Sequence, residues 1–337
     1  MKVLLYFEGI NFLKQSGIGR AREHQMRALE LLGYEVVEDI RCRDYDILHI
    51  NTYGLKSLIL AHKAKRMGKK IVYHAHSTEE DFRNSFIGAN LVSGIFKRHL
   101  IHLYNLADVV ITPTAYSKSL LEGYGVKPKI FAISNGIDLA KYQNIPEKEQ
   151  AFREYFHLSK SQKVVISAGL FIERKGILDF VKVARDFPDI TFIWFGHAPL
   201  YTIPRKIRQV VKKNHPQNVI FPGYIRGDVY EGAYTAADLF FFPSHEETEG
   251  IVVLEALASH QLVLVRDIPV YASWLPHGQA VIKARDNQGF AQAISKYIAA
   301  DNQAMINQGL EIVRHRTIEA VAEQLKEVYQ IVMKGDC

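Results

Sequence analysis

Cysteine is scarce in this chain: two in 337 residues, Cys42 and Cys337. Neither has a C-x-x-C partner or a nearby histidine set, which excludes a disulfide scaffold and argues against structural zinc. Long apolar runs are missing as well. No stretch approaches the roughly 18 residues of a membrane span. The opening MKVLLYFEGINF meets Glu8 and Gly9 too early for a signal peptide, so a cytoplasmic location is expected. No G-x-G-x-x-G follows the first apolar run, which counts against a nicotinamide-dependent oxidoreductase. A large charge of one sign is lacking too. The net charge is +6, with 22 Lys and Arg against 17 Asp and Glu in residues 1–155 and 20 against 19 in residues 156–337. That imbalance is too small to argue for nucleic acid, and none is expected as a partner. The mild basic excess of the first half suits a phosphate-bearing ligand or an anionic surface.

What is present is a regular alternation. At 48% hydrophobic residues the chain can bury a sizeable core, and its length fits two domains. KVLLYF (2–7), ILHI (47–50), KIVYHA (70–75), DVVITPT (108–114) and IFAIS (130–134) have the length and continuous apolarity of strands buried on both faces. Amphipathic segments such as GRAREHQMRALELLG lie between them, the pattern of an α/β protein with parallel sheets. The pattern restarts after the polar stretch QNIPEKEQ (143–150), with KVVISAG, TFIWFG, NVIFPG, LFFFPS, LVLV and AVIK as successive strands. Two doubly wound domains follow: residues 1–155, residues 156–315, and a terminal helix in 316–337 expected to pack back toward the first domain.

Ligands of such sheets sit beyond the carboxyl ends of the strands, so the loops there are the candidate sites. SGIGR (16–20) offers Gly17 before a helix, either as an anion-facing turn or as a turn that simply needs glycine. In YHAHSTEEDF, His74 and His76 are expected to point opposite ways and not to grip one metal jointly; either one can be a hydrogen-bonded structural histidine or a donor to a hydroxyl or phosphate. Asn135-Gly136 in ISNGID is a turn signal first and a ligand loop second. Arg174 and Lys175 precede Gly176 after a strand, where paired cations suit a diphosphate or form a solvated charge pair. Glu247 and Glu255 flank the apolar turn from Gly250 through Ile251 and Val252. Asp44-Tyr45-Asp46 has the form of a metal-binding D-x-D but precedes a strand, and it reads as a surface turn at the wrong end of the sheet.

In this order, ISNGID, the Arg174-Lys175-Gly176 loop, ADLFFFPS and above all Glu247-x7-Glu255 resemble the signature set of the retaining GT-B glycosyltransferases of family 4. The resemblance implies a GT-B fold, two Rossmann-like domains facing across a cleft, and a UDP-sugar donor, UDP-glucose or UDP-galactose, with no cofactor and no metal. It implies that Glu247 holds sugar hydroxyls, Glu255 the ribose, the N–H groups near Gly250, Ile251 and Val252 the diphosphate, and Lys175 its charge. His76 matches a histidine beside the transferred sugar, which makes His76, Lys175 and Glu247 the candidate catalytic residues. Gly17, Asn135 and Gly136 match donor-loop positions, and Tyr224-Ile225 lies where the base stacks. Leu170 stands where the family often has arginine, a role we assign to Arg174, and Thr248-Glu249 replaces the family's usual Gly-Phe.

The acceptor is read from the first half. LVSGIFKRHLIHLYNL (91–106) has the spacing of an amphipathic helix, and Phe96, Lys97 and Arg98 on it, with Phe82, Phe86 and Ile87 in the loop before it, suit an anionic membrane surface. The short chain and the HAHSTEEDF loop are similar to glycolipid synthases that add a second hexose to monoglucosyl-diacylglycerol. The expectation is therefore a retaining hexosyltransferase, peripheral on the inner face of the cell membrane, with a glycolipid acceptor. A family 4 transferase with a soluble or polysaccharide-precursor acceptor and a UDP-sugar 2-epimerase are the alternatives.

Overall fold

Strands form where the apolar runs stand because β-branched and aromatic side chains fill both faces of a covered sheet. The structure, a computed structural model, describes residues 1–10, 17–143, 145–199 and 201–335. The chain divides into two units, one of residues 1–82, 90–136 and the stretch from Arg316, the other of residues 83–89 and 137–315.

In the first unit, β1 (Lys2–Tyr6), α1 (Gly17–Leu31), β2 (Glu35–Val37), β3 (Ile47–Ile50), α2 (Leu55–Arg66), β4 (Lys70–His74), α3 (Ala89–Tyr104), β5 (Val109–Thr112), α4 (Ala115–Gly123) and β6 (Lys129–Ala132) follow in order. The strands make one parallel sheet in the order β2-β1-β3-β4-β5-β6. β2 is the strand that the apolar pattern misses, since of its three residues at the sheet edge Glu35 is exposed and Val36 and Val37 are only half-buried.

The second unit carries α5 (Pro146–Tyr155), β7 (Val164–Ala168), α6 (Ile177–Ala184), β8 (Thr191–Phe195), α7 (Arg205–Lys212), β9 (Val219–Gly223), α8 (Asp228–Ala236), β10 (Leu239–Phe242), α9 (Ile251–Ala258), β11 (Val263–Arg266), β12 (Ile282–Ala284), α10 (Asn287–Tyr297) and α11 (Gln303–Arg314). Its parallel sheet runs β12-β11-β10-β7-β8-β9. Every residue of β7 and β10 is buried, and Phe180, Phe192, Trp194 and Phe241 interlock in the core.

The boundary between the two units differs from the sequence reading. Residues 137–155 belong to the second unit. The polar QNIPEKEQ is no plain linker, because Pro146 sits at the first helical position and Glu147 and Glu149 complement the helix dipole, so a helix starts there. The last helix, α12 (Ile318–Lys334), lies in the first unit. Ile318, Val321, Leu325, Val328 and Val332 recur at helical spacing and are all buried against β1, β3 and β4 residues such as Val3, Leu5, Ile47 and Val72. Thr317 caps its start, its Oγ1 accepting from the Ala320 N–H.

Candidate active site

The order of the second sheet reverses between β7 and β10, where loops leave on opposite sides and open a crevice at the strand ends. Arg174-Lys175 follows β7 and Glu247 follows β10, so the switch point brings together residues 72 positions apart. Lys175 Nζ bonds Glu247 Oε1, which also accepts from Ser244 Oγ at 2.6 Å and lies 3.7 Å from Arg174 Nη1. Arg174 Nη1 donates to the Glu246 carbonyl at 2.6 Å, and the Arg174 carbonyl accepts from the His245 N–H at 2.8 Å. Below this lacing, Arg266 donates to the Pro243 carbonyl at 3.0 Å and to Asp179 at 2.7 Å.

Glu247 is only 6% exposed. Burial alone would raise its carboxyl, but the Lys175 and Arg174 charges outweigh that and hold it below the usual carboxylate range. Two glycines let the loops close. Gly176 has φ +78°, and a Cβ there would overlap the Pro243 carbonyl; Gly250, φ +90°, would place one 2.8 Å from Tyr271 Oη. Gly250, three residues after Glu247, caps α9, whose first N–H groups, Ile251 and Val252, have no partner within the helix, as is general for helix starts that can receive an anion.

Glu255 stands on the same helix one face round. It is fully buried, and Oε2 accepts from Tyr230 at 3.2 Å and Tyr234 at 3.0 Å. Tyr224, just after β9, carries the Arg226 guanidinium over its ring at 4.9 Å. Ile225 beside it is half-buried. Leu170 packs against the core. The pair Tyr230-Tyr234, at i and i+4 on α8, and Ser244 are site residues that the sequence reading passed over; only the helical spacing of the tyrosines hinted at them.

The first unit's sheet reverses between β1 and β3. Here Asn51 follows β3 and His76 follows β4; Ser16 lies outside the described residues, and Gly17 is within α1. The expectation that His74 and His76 diverge is wrong, since residues i and i+2 of an extended segment share a face. Their rings stack at 4.2 Å, and His49 stacks on His74 at 5.6 Å. Asn135 is buried, and its carbonyl accepts from His24 Nδ1 at 3.2 Å; with Gly136, φ +80°, it ends the stretch belonging to the first unit. Asp44 and Asp46 bind the Lys2 side chain at 3.2 Å and backbone N–H at 2.8 Å, at the amino ends of β1 and β3, the opposite end of that sheet from its own switch point. Among the described residues no three His, Cys, Asp or Glu side chains converge to hold a metal ion.

The surface residues divide. Phe82 and Phe96 stack on each other at 4.1 Å, and Lys97 pairs with Glu79 at 3.3 Å and lies over the Tyr124 ring at 4.1 Å. Arg98 is exposed. Phe86 and Ile87 are exposed but fall in the segment 83–89 of the second unit, where Ser85 Oγ accepts from Arg174 Nε at 3.2 Å. Among the outward apolar residues of the first unit are Leu91, 89% exposed, and Ile95 on α3, with Leu55 and Ile59 on α2.

The family model for Glycosyltransferase Family 4 matches residues 11–141, and that for Glycosyl transferases group 1 matches residues 148–311. Over 337 residues, 99% of each chain, the protein is 48% identical to the processive diacylglycerol alpha-glucosyltransferase of Acholeplasma laidlawii. It belongs to glycosyltransferase family 4. This family 4 chain is also 28% identical to the alpha-galactosylglucosyldiacylglycerol synthase of Streptococcus pneumoniae, over 84% of its length and 76% of that protein's. Among solved structures it is similar in fold to Anabaena HepE in complex with UDP-glucose, with a TM-score of 0.76, 18% identity, and 98% and 99% of the two chains covered. The fold is thus GT-B, with its two Rossmann-like units.

Proposed function

We propose that this family 4 glycosyltransferase moves a hexose, glucose in the first instance, from a UDP-sugar to a diacylglycerol-based glycolipid, monoglucosyl-diacylglycerol being the expected acceptor. The observation that carries the reading is the convergence of Lys175, Arg174 and Glu247 with the amino end of α9, in a chain nearly half identical to a diacylglycerol glucosyltransferase. Breaking the bond from the anomeric carbon to the diphosphate leaves negative charge on the departing UDP. Lys175, Arg174 and the free N–H groups of Ile251 and Val252 stand fixed where that charge develops, so they stabilise the transition state without reorganising. Glu247, held as a carboxylate among those cations, accepts from sugar hydroxyls, and Glu255 takes the ribose after its tyrosine partners give way. His76 belongs beside the transferred sugar, and Tyr224-Ile225 beside the base. Retention of the α-anomer follows from the products that the relatives' names describe.

The membrane is the second element of the proposal. No helix among the described residues is long and apolar enough to cross it. α2 and α3 pack on one face of the first sheet through Leu60, Ala61, Leu100 and Leu103, and they turn Leu55, Ile59, Leu91 and Ile95 outward. Arg43, Lys63 and Arg66 line a groove beside Ile59. Apolar residues ringed by cations suit the interface of an anionic bilayer. The test is incubation with UDP-glucose or UDP-galactose and vesicles carrying diacylglycerol or monoglucosyl-diacylglycerol, read by mass spectrometry. An α-linked diglucosyl lipid is expected. Turnover only with a soluble acceptor, or free UDP and an epimerised sugar without lipid product, would refute the proposal.

A further inference from the structure

Imidazoles in a dry interior must be hydrogen-bonded or neutral, and each bond they make fixes where their proton sits. His49 and His74 are 0% and 2% exposed, and His76 stacks on the outer side of His74. Burial holds all three below their ordinary range, His49 and His76 at about 3, so none carries charge near neutrality. Two amides organise the stack. Gln25 Nε2, on α1, donates to Asn51 Oδ1 at 2.8 Å and to His74 Nδ1 at 2.9 Å, which uses both of its protons. Asn51 Oδ1 also meets His76 Nε2 at 2.9 Å. A carbonyl oxygen only accepts, so His76 Nε2 carries the proton in this arrangement and Nδ1 keeps its lone pair. The turn that presents His76 is fastened separately, its N–H donating to the His74 carbonyl at 3.2 Å and the Ala75 carbonyl accepting from Thr112 Oγ1 at 3.1 Å.

We propose that Gln25 and Asn51 are positioning residues that lock His76 as a neutral imidazole protonated on Nε2, with Nδ1 left to accept a hydrogen bond from a hydroxyl of the transferred sugar. The inference rests on the reading of His76 as the histidine beside that sugar. Its physical content is a tautomer chosen two side chains away. Both amides carry two N–H donors, but Gln25 turns its pair toward His74 and Asn51 while Asn51 presents its oxygen, so the orientation of Gln25 sets the direction of the bonds outward to His76. Turning both amides over gives the opposite network, with the His76 proton on Nδ1.

The test is ¹⁵N NMR of the full chain labelled at histidine, with the His76 signals assigned by their loss in His76→Ala. The expected spectrum has an unprotonated Nδ1 and a protonated Nε2 on His76, unchanged from pH 6 to 8. Gln25→Glu keeps the shape but can only accept, so it turns Asn51 over, moves the His76 proton to Nδ1, and lowers kcat by about 10- to 100-fold at nearly unchanged donor KM. Gln25→Leu removes the instruction and should give a mixture of tautomers. A wild-type spectrum with the proton on Nδ1 or shared between the nitrogens, or a Gln25→Glu spectrum identical to wild type in a folded protein, overturns the proposal. Undiminished turnover in His76→Ala overturns instead the reading of His76 as a sugar contact, a result the tautomer spectrum does not affect.

Discussion

The two switch points use opposite electrostatics on one architecture. At the second unit's, between β7 and β10, a buried carboxylate is held by two cations three residues before a glycine-capped helix start. At the first unit's, three neutral imidazoles and two amides make a network with no formal charge. The difference suits the chemistry proposed for each: a departing diphosphate needs fixed charge, whereas a sugar hydroxyl needs only correctly aimed dipoles. A charged group behind His76 would be costly in so buried a place, and neutral groups around a diphosphate would leave its charge unmet.

Removing charge from the second unit is the hardest test of that contrast. Lys175→Ala should lower kcat by about 100- to 1,000-fold, the usual effect of deleting one fixed donor from a site of developing charge. Lys175→Arg should recover part of it, and turnover of the parent should persist in EDTA if the fixed cations carry the diphosphate. Steady-state kinetics with UDP-glucose settle the point; a loss confined to KM would mean that Lys175 binds ground and transition states equally.

Acid should act on the first unit before the second. His49 and His76 have folded values near 3 against about 6.5 unfolded, so between those values the unfolded chain binds more protons and stability falls as pH falls. Each should cost about 1 kcal/mol by pH 5.5, with His74 acting in the same direction. The Glu247 contribution falls in the same direction but in a lower window: its carboxyl is depressed, so its stabilisation is complete above the ordinary carboxylate range and is lost only at lower pH. Urea denaturation at pH 7.5 and 5.5 should therefore show a loss that His49→Phe reduces. Equal stability at the two pH values would break the contrast.

Fold and site were not equally legible in the sequence. Among the described residues eleven of the twelve strands announce themselves by short apolar runs, most plainly the inner strands such as β7 and β10, which are buried on both faces; β2, three residues long and at an edge, does not. The Glu247 and Lys175 loops could be read because each follows such a strand and contains a glycine that the close approach requires. What hides is whatever depends on pairing across sequence. Nothing near Glu255 names Tyr230 and Tyr234 as its partners, and Gln25 looks like one more polar residue of an amphipathic helix. The surface is hidden for a related reason: Phe82, Phe96 and Lys97 have the residue types of an interface and also make ring stacking and an ion pair, while Leu91 and Ile95 stand exposed.

Glu255 tests the second unit away from the leaving group. If it meets the ribose, which is bound alike in ground and transition states, Glu255→Ala should raise donor KM about tenfold and change kcat little. It should also lower stability by about 1–3 kcal/mol, because the buried Tyr230 and Tyr234 hydroxyls lose their common acceptor. The double change Tyr230→Phe with Tyr234→Phe should restore part of the stability without restoring KM. Calorimetric titration with UDP and thermal unfolding of the three variants separate the two roles, and a fall in stability with unaltered UDP affinity would make Glu255 a core residue only.

The smallest expected effects concern the membrane, and they sharpen the contrast because they should touch the first unit alone. Each Lys or Arg near an anionic surface contributes about 1 kcal/mol, screened as salt shortens the Debye length. Arg66→Glu and Arg98→Glu, both exposed and without an ion pair among the described residues, should each weaken binding to vesicles containing phosphatidylglycerol by about fivefold or more. Lys97→Glu should do less through charge, because Lys97 is already held by Glu79 and Tyr124, and part of its effect should appear as lost stability. Leu91→Ser with Ile95→Ser should weaken binding at high salt as well as low, since insertion of apolar area is not screened. UDP affinity should be unchanged throughout, the donor residues lying on other elements. Co-sedimentation at low and high salt gives both numbers, and vesicle binding indifferent to all of these changes would remove α2 and α3 from the membrane and leave a soluble acceptor as the better reading.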